Sequence, residues 1–469
     1  MKKDGQEEQY EGFYQLCRMA ETIFEEDWRD TDELAKTRKL EREKRAIMGY
    51  EKERIFFQSR IGDMIRERGW QTEVPPWYGS LEEGIFHEVY GLAGLAPWAY
   101  DSTEEYRKSS SAKLIGDRLY CLIDGISRLQ PQRIQAERRE QLKRALLLAA
   151  PRERLEKGFH EIYLHNGIRI TIFSGDRTKK GQDVMVFRKY IMEDLTFEEL
   201  AELGTIPADA IPLFRSMIRI GFNILITGPV RSGKTTFLQV WQKQENPHLE
   251  GLALSTDPET PWHELMPQAP VMQLVADGKE LEVITRSLLR GDNDYILLEE
   301  MRDAAAFRLA LEITSTGTMR SKATIHSSST VQIPYKMASA ICETYGGNLQ
   351  NLIARVFQNF QLVFLFRSLP DDRSQKRLTE ISAYYYDEEE DQVSVHVLCR
   401  YIPAEDLWQW KADLPWDSLH DGGMARWEER EWMHMENILK KLEQRNPLMG
   451  KATIYPRYYR PSERRGTPE

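Results

Sequence analysis

The sequence predicts an α/β domain at its centre, preceded by a small α+β domain and a charged helical extension. Three observations carry this. From about Pro207 onward, short apolar strands alternate with helical stretches. Between residues 82 and 190, strand-like runs and a hairpin-turn signal flank a single helical stretch. Residues 1–75 are dense in Lys, Arg and Glu, with apolar residues recurring between them at roughly three- and four-residue steps.

In chain order, the extension covers residues 1–80. Ile47, Met48, Ile55, Phe56, Ile61 and Ile65 set the helical period, so Asp32 to Arg68 reads as one or two long helices. Such a segment is either a solvated hairpin packed on the body or a docking arm for a partner. Pro75-Pro76 breaks it. The α+β domain is expected over 81–193. Its strands should lie in Arg118–Ile126, in Ile162–Phe173 and at Asp183–Phe187, with Asn166-Gly167 turning a hairpin. Gln132 to Ala149 reads as its helix, with a stripe through Leu142, Ala145, Leu146 and Leu148. A linker with a short helix should occupy 194–206. The α/β domain then runs over 207–415. Strands are expected at Asn223–Thr227, Gly251–Ser255, Met272–Val275, Tyr295–Leu298 and Ala323–Ile325, followed by a β-rich stretch from Leu362 to Tyr401. Residues 416–469 should hold one charged helix, Ala425 to Gln444, and a poorly ordered end rich in Pro, Arg and Tyr.

A chain of 469 residues is long enough for two or three domains with cores of their own. Its net charge of −10 argues against a general nucleic-acid binder, which needs a basic face. The four cysteines, Cys17, Cys121, Cys342 and Cys399, are far apart in sequence, so neither a zinc pattern nor a redox dithiol pattern is present. Few cysteines in a long chain fit a reducing cytosol. The first residues, MKKDGQEEQYEGF, have no apolar core of the secretory kind. No apolar run approaches the roughly 18–20 residues that span a bilayer. A soluble chain is expected, or one that reaches a membrane only through a partner.

The chemistry concentrates at three places. Residues 223–236 read NILITGPVRSGKTT: an apolar strand, a loop from Gly228 through Pro229, Val230, Arg231, Ser232 and Gly233 to Lys234, Thr235 and Thr236, then a helix. This is the phosphate-binding pattern G-x-x-x-x-G-K-[ST] in its strand–loop–helix setting. Backbone N–H groups must wrap phosphates there, so Gly233 leaves room for close approach. The helix that begins near Lys234 turns its positive end to the anion. Lys234 reaches the β- and γ-phosphates and Thr235 places a hydroxyl on Mg²⁺. Residues 294–303 read DYILLEEMRD, a buried strand ending in Glu299 and Glu300. Ligands of open α/β sheets bind at such strand ends. A carboxylate there can hold the Mg²⁺ shell or orient the attacking water. His326 follows the short strand Ala323–Ile325; alone, a histidine so placed is more often structural than functional.

Together these spacings resemble the secretion and pilus-assembly ATPases that power type II secretion, type IV pili and conjugative type IV secretion, most closely the CpaF-type ATPases of tight-adherence pili. The resemblance runs from about residue 85 to 412. Residues 286–303, RSLLRGDNDYILLEEMRD, look like the family's arginine run, strand, Gly-Glu and Arg. Thr316-Gly317 and Thr324-Ile325-His326 fit its histidine box. Asn166-Gly167-Ile168-Arg169, Phe187-Arg188-Lys189 and Leu195-Thr196-Phe197-Glu198-Glu199-Leu200 look like its hairpin, strand end and linker. The resemblance implies a RecA-like ATPase domain, ATP and Mg²⁺ as ligands, and a homohexamer with nucleotide between the two lobes of each subunit. It implies a cytoplasmic place at the inner face of the membrane, beside an inner-membrane platform protein of a pilus or secretion system; the acidic balance and lack of a clear basic stripe argue against direct nucleic-acid contact. It makes Glu300 the catalytic-site glutamate that holds or polarises the metal and water, Arg302 the arginine after it, and His326 a sensor of the γ-phosphate. Asp257 or Glu259 could serve as a base. Arg169 and Arg188 match positions that can reach the phosphates, and developing phosphoryl charge does call for cations beyond one lysine.

The departures are specific. Arg231 stands where the loop usually has glycine. Thr256 replaces the first glutamate of the aspartate box, and Glu259 falls one residue early. Glu299 replaces the glycine before Glu300, and Thr318 the first histidine of the histidine box. These touch turnover more than binding. They keep open a ring subunit that binds ATP but hydrolyses it slowly or not at all. A conjugative DNA-transfer ATPase is the remaining alternative.

Overall fold

The structure, a computed structural model, describes residues 9–26, 33–150, 159–179, 182–191, 194–256, 260–276, 278–288, 293–415 and 426–460. The chain forms two compact units, Met1–Met192 and Glu193–Glu469.

The first unit opens with helices Glu11–Glu26, Glu33–Ile47, Glu51–Arg68 and Leu81–Val89. Charge dominates their sequences, yet the helices bury a core of their own. Phe13, Cys17, Ala20 and Phe24 recur at helical spacing and are buried with Phe57, Ile61, Met64 and Phe86 in one cluster. The Phe57 ring stacks on Tyr90, with centroids 4.3 Å apart. The sequence-derived stripe is only half right. Ile47 and Ile61 are buried, whereas Ile55 and Phe56 are 53% and 38% exposed. They fall beside the Phe57–Ile61–Met64 face, and the Arg42 guanidinium covers the Phe56 ring at 4.4 Å.

A six-stranded sheet follows, in the order β3-β2-β1-β6-β5-β4. Its strands are β1 (Ser111–Ile115), β2 (Arg118–Ile123), β3 (Ile126–Arg133), β4 (Phe159–Tyr163), β5 (Arg169–Phe173) and β6 (Val184–Arg188). All neighbours run antiparallel. The strand expected over Arg118–Ile126 is divided by Asp124-Gly125, both at positive φ, which turns β2 into β3. The helix expected from Gln132 begins only at Ala136, because β3 continues to Arg133, opposite Arg118. Its Leu142, Leu146 and Leu147 enter the core, while Leu148 points out at 52% exposure.

In the second unit a ten-stranded sheet has the order β15-β14-β13-β12-β7-β11-β10-β8-β9, with β16 paired to β14. The strands are β7 (Ile224–Thr227), β8 (Gly251–Ser255), β9 (Val271–Val275), β10 (Tyr295–Met301), β11 (Lys322–Ile325), β12 (Leu362–Ser368), β13 (Lys376–Asp387), β14 (Gln392–Ile402), β15 (Leu407–Trp410) and β16 (Thr453–Ile454). From β9 across to β12 the pairing is parallel. From β12 through β15 it is antiparallel. β7 and β11 are buried throughout, as central parallel strands are; their polar members are satisfied there, Lys322 by Glu245 and Thr227 and Thr324 by backbone carbonyls. Two hydrophobic clusters, one around Phe214, Phe237, Trp241 and Phe364 and one around Leu309, Ile325, Ile353 and Phe357, complete the core.

The expected disorder after the last helix (Arg426–Arg445) does not hold through residue 460. Leu448 and Ala452 bury against Val397, and β16 pairs with β14. Apolar and aromatic side chains in this Pro- and Arg-rich segment give it surface to bury. Among the described residues, no helix is long and apolar enough to cross a membrane.

Candidate functional site

β7, β10 and β11 are neighbours in the parallel sheet, so the segments that leave their C-terminal ends converge. The first of these is the loop 228–233. Gly228 has φ 148°, and a Cβ there would lie 2.2 Å from the Phe366 carbonyl oxygen, so only glycine fits. Gly233, at φ 90°, caps the helix Lys234–Gln242 without a side-chain bond, leaving first-turn N–H groups facing the loop. Arg231 sits at φ 63°, the left-handed region that a non-glycine residue enters at a cost of roughly 1–2 kcal/mol. Ser232 is fully buried, and its hydroxyl has no hydrogen-bond partner.

Lys234 is 7% exposed. Its ammonium donates to the carbonyls of Gly228 (3.1 Å) and Pro229 (2.8 Å) and to His326 Nδ1 (3.2 Å), which uses all three of its N–H groups. Burial lowers its pKa to about 8, against a smaller upward pull from Glu300. With Nδ1 accepting, the His326 proton is assigned to Nε2, which donates to Glu300 Oε1 at 2.8 Å. The other Glu300 oxygen, Oε2, accepts from Arg302 Nη2 at 2.5 Å. Burial pushes the Glu300 carboxyl up, but Arg302 and His326 outweigh it and hold the pKa below its usual value. A chain Lys234–His326–Glu300–Arg302 thus crosses the strand ends beneath the loop.

Glu299 and Glu300 part company. Between Leu298 and Met301 the register of β10 against β11 slips by one residue, a bulge beside the site. Glu299 is buried and accepts from Trp262 Nε1 at 2.6 Å, while Glu300 faces His326. Thr235 and Thr236 stand half-buried in the first helical turn. Pro229, Val230 and Arg231 are exposed on the loop.

The other expected residues lie elsewhere. Asp257 and Glu259 fall outside the described residues. Arg169 and Arg188 belong to the first unit, where they are direct register partners across β5 and β6. Arg169 pairs with Glu161 at 2.5 Å, and Arg188 is exposed. Thr318 is at the opposite end of the sheet: its carbonyl accepts from Asn223, just before β7.

The structure also adds side chains that sequence reading passed over. Lys376 donates to Ser368 Oγ at 3.0 Å, and Ser368 Oγ approaches the Arg231 carbonyl at 3.4 Å. Burial lowers the Lys376 pKa; Asp372 opposes this, while the nearby cations Arg231 and Arg373 add to it. No motif marks these residues. They reach the loop only because β12 and β13 pair beside β7.

Residues 178–382 match the family model described as Type II/IV secretion system protein. Type II secretion system protein E of Xanthomonas campestris pv. campestris is 32% identical over 141 residues, 30% of this chain and 24% of that protein. The match thus spans about a quarter of that relative's length. Among solved structures, the ATPase DotB of Legionella pneumophila is similar at 14% identity over 74% of this chain and 88% of its own, with a TM-score of 0.45. The VirB11 ATPase of the Brucella suis type IV secretion system is similar at 17% identity over 62% of this chain and 92% of its own, with a TM-score of 0.33.

Proposed function

We propose that this chain, similar to type II/IV secretion system proteins across residues 178–382, is itself an ATPase of that kind that hydrolyses ATP·Mg²⁺ to drive pilus assembly or protein secretion. One observation carries the reading: a phosphate-loop lysine, a histidine and a strand-end glutamate form a continuous hydrogen-bonded chain at the C-terminal edge of a parallel sheet.

The residues present suit a nucleotide polyphosphate. Gly228 leaves a cradle that a Cβ would fill, the Ser232 hydroxyl is orphaned, and Lys234 is a desolvated cation bonded only to carbonyls and an imidazole. Phosphate oxygens would offer Lys234 charged acceptors in place of neutral ones. Thr235 and Glu300 would hold Mg²⁺, which needs few protein oxygens when phosphates supply others. The ion would draw charge from the transferring phosphoryl group. Glu300 orients water, His326 reads the γ-phosphate through its contact with Lys234, and Arg302 sets the Glu300 carboxylate. Asp257 or Glu259 would act as base.

In this reading the chain works as a homohexamer in the cytoplasm, held at the inner face of the membrane by a platform protein, and is of the kind of the CpaF-type ATPases of tight-adherence pili. It contacts no nucleic acid directly.

One observation favours a second reading, a ring subunit that binds ATP but turns over slowly. Arg302 and His326 hold the Glu300 pKa below its usual value, which makes this carboxylate a weaker base toward water. Steady-state hydrolysis by purified protein, with Lys234→Ala as the blank, separates the two. Turnover above the blank supports the motor; tight binding without turnover supports the slow subunit; neither removes both.

A further inference from the structure

The loop that carries His326 is the sequence Ile325-His-Ser-Ser-Ser-Thr-Val331. Small hydroxyl residues have little apolar surface to bury, so beyond the local turn in which Ser327 Oγ bonds Ser329, little within the loop fixes its backbone. The rest of the holding comes from outside. Every carbonyl from 325 to 331 accepts a hydrogen bond from a side chain. Thr227 Oγ1 donates to Ile325 (3.0 Å) and Ser327 (3.3 Å), and Lys336 to His326. Arg367 donates to Ser328 (2.6 Å), and Ser327 Oγ to Ser329 (2.9 Å). The Tyr384 hydroxyl donates to Thr330. The last carbonyl, of Val331, takes the Tyr458 hydroxyl at 2.5 Å.

Tyr458 lies 127 residues away in sequence, on the C-terminal strap. The strap is built to hold it there. β16 pairs with β14, Gln350 Nε2 donates to the Tyr458 carbonyl at 3.2 Å, and the Tyr458 ring lies 5.4 Å from that of Tyr335. Tyr335 precedes Lys336, which holds the His326 carbonyl, so the strap braces the loop at Val331 and beside the residue that grips His326.

We propose that Tyr458 is a positioning residue for His326, and that the C-terminal strap thereby sets how firmly the Lys234–His326–Glu300 chain is held. The proposal rests on the reading of His326 and Glu300 as catalytic side chains. Tyr458 touches neither; it acts through the Val331 end of the loop.

The test uses the full chain with Tyr458→Phe, which removes one hydroxyl and keeps the ring. Tyr459→Phe is its partner variant. Tyr459 sits on the same strap, but its hydroxyl meets Asp391 at 2.5 Å, away from the loop. Two readouts are taken beside the thermal midpoint: kcat and KM for ATP, and the His326 ring resonances in histidine-labelled protein, assigned with His326→Gln. Tyr458→Phe is expected to move the His326 resonances and to lower kcat about fivefold with KM within twofold, the scale of one neutral hydrogen bond. Tyr459→Phe should move neither. Unchanged His326 resonances in Tyr458→Phe, or the same changes in Tyr459→Phe, overturn the proposal. If wild type shows no turnover while the His326 resonances still respond to Tyr458→Phe, the ATPase reading fails and the strap's role stands.

Discussion

Lys234 spends its three N–H groups on two loop carbonyls and the His326 ring, so an arriving phosphate has a cation ready but must displace neutral partners. A charge-assisted contact of this kind contributes about 1.5–3 kcal/mol, and Lys234→Ala should abolish tight ATP binding in a calorimetric titration. Unchanged affinity would remove the loop from the site. The pH dependence has a definite sign. Burial holds the lysine near a pKa of about 8, and bound polyphosphate favours its charged form. Binding at pH 8.5 should therefore take up protons, and affinity should fall as pH rises past 8. Titrations in two buffers of different ionisation enthalpy read this directly; identical heats would contradict it. Glu300→Gln keeps shape and one of the two acceptor oxygens but loses the charge. It should leave ATP affinity near normal and cut single-turnover hydrolysis at least ~100-fold, the scale of a lost acid–base or electrostatic group. A fully active variant would take Glu300 out of the mechanism.

At the scale of the strand, β10 separates two adjacent carboxylates into two tasks. Side chains of successive strand residues face opposite ways, and the bulge at this point bends the strand further. Glu299 goes inward to the Trp262 indole. Glu299→Ala would leave that buried N–H without its acceptor and should destabilise the second unit by about 1–3 kcal/mol in chemical denaturation. Glu299→Gln keeps an acceptor there and should hold turnover within about threefold of wild type. A collapse of hydrolysis in Glu299→Gln at unchanged stability would place Glu299, not only Glu300, in the chemistry.

For the whole chain, two expectations concern assembly and the N-terminal helices. A hexamer is expected with Mg²⁺ and a non-hydrolysable analogue; light scattering that finds monomer alone at tens of micromolar, with and without nucleotide, counts against the ring. Removing residues 1–75 takes Phe13, Phe24, Phe57 and Ile61 out of a cluster that also contains Phe86. The truncated chain should lose the thermal transition of its first unit. It should still bind ATP, because the phosphate loop and its bonded partners all lie in the second unit. Loss of nucleotide binding while the second unit stays folded would show that the helices matter to the site.

The phosphate loop, the strands that lead into it and the strand-end glutamates were all legible in the order of residues. These are local matters: a short apolar run must be buried, and a wrapped phosphate demands glycine and lysine at fixed spacing. That order also placed Asn166-Gly167 at the turn between β4 and β5, where Gly167 has φ 80°. The tertiary structure decided what depends on neighbours distant in sequence. Alternation sends two adjacent glutamates opposite ways, but which one meets the histidine depends on which face of β10 receives Trp262 and which His326 in the packed sheet. That Lys376 and Ser368 reach the loop follows from β12 lying beside β7. That a tail rich in Pro and Arg is ordered through residue 460 follows from the pairing of β16 with β14 and from apolar surface on Val397 that receives Leu448 and Ala452. Composition records how much a segment can bury; only the packed fold supplies the surface it buries against.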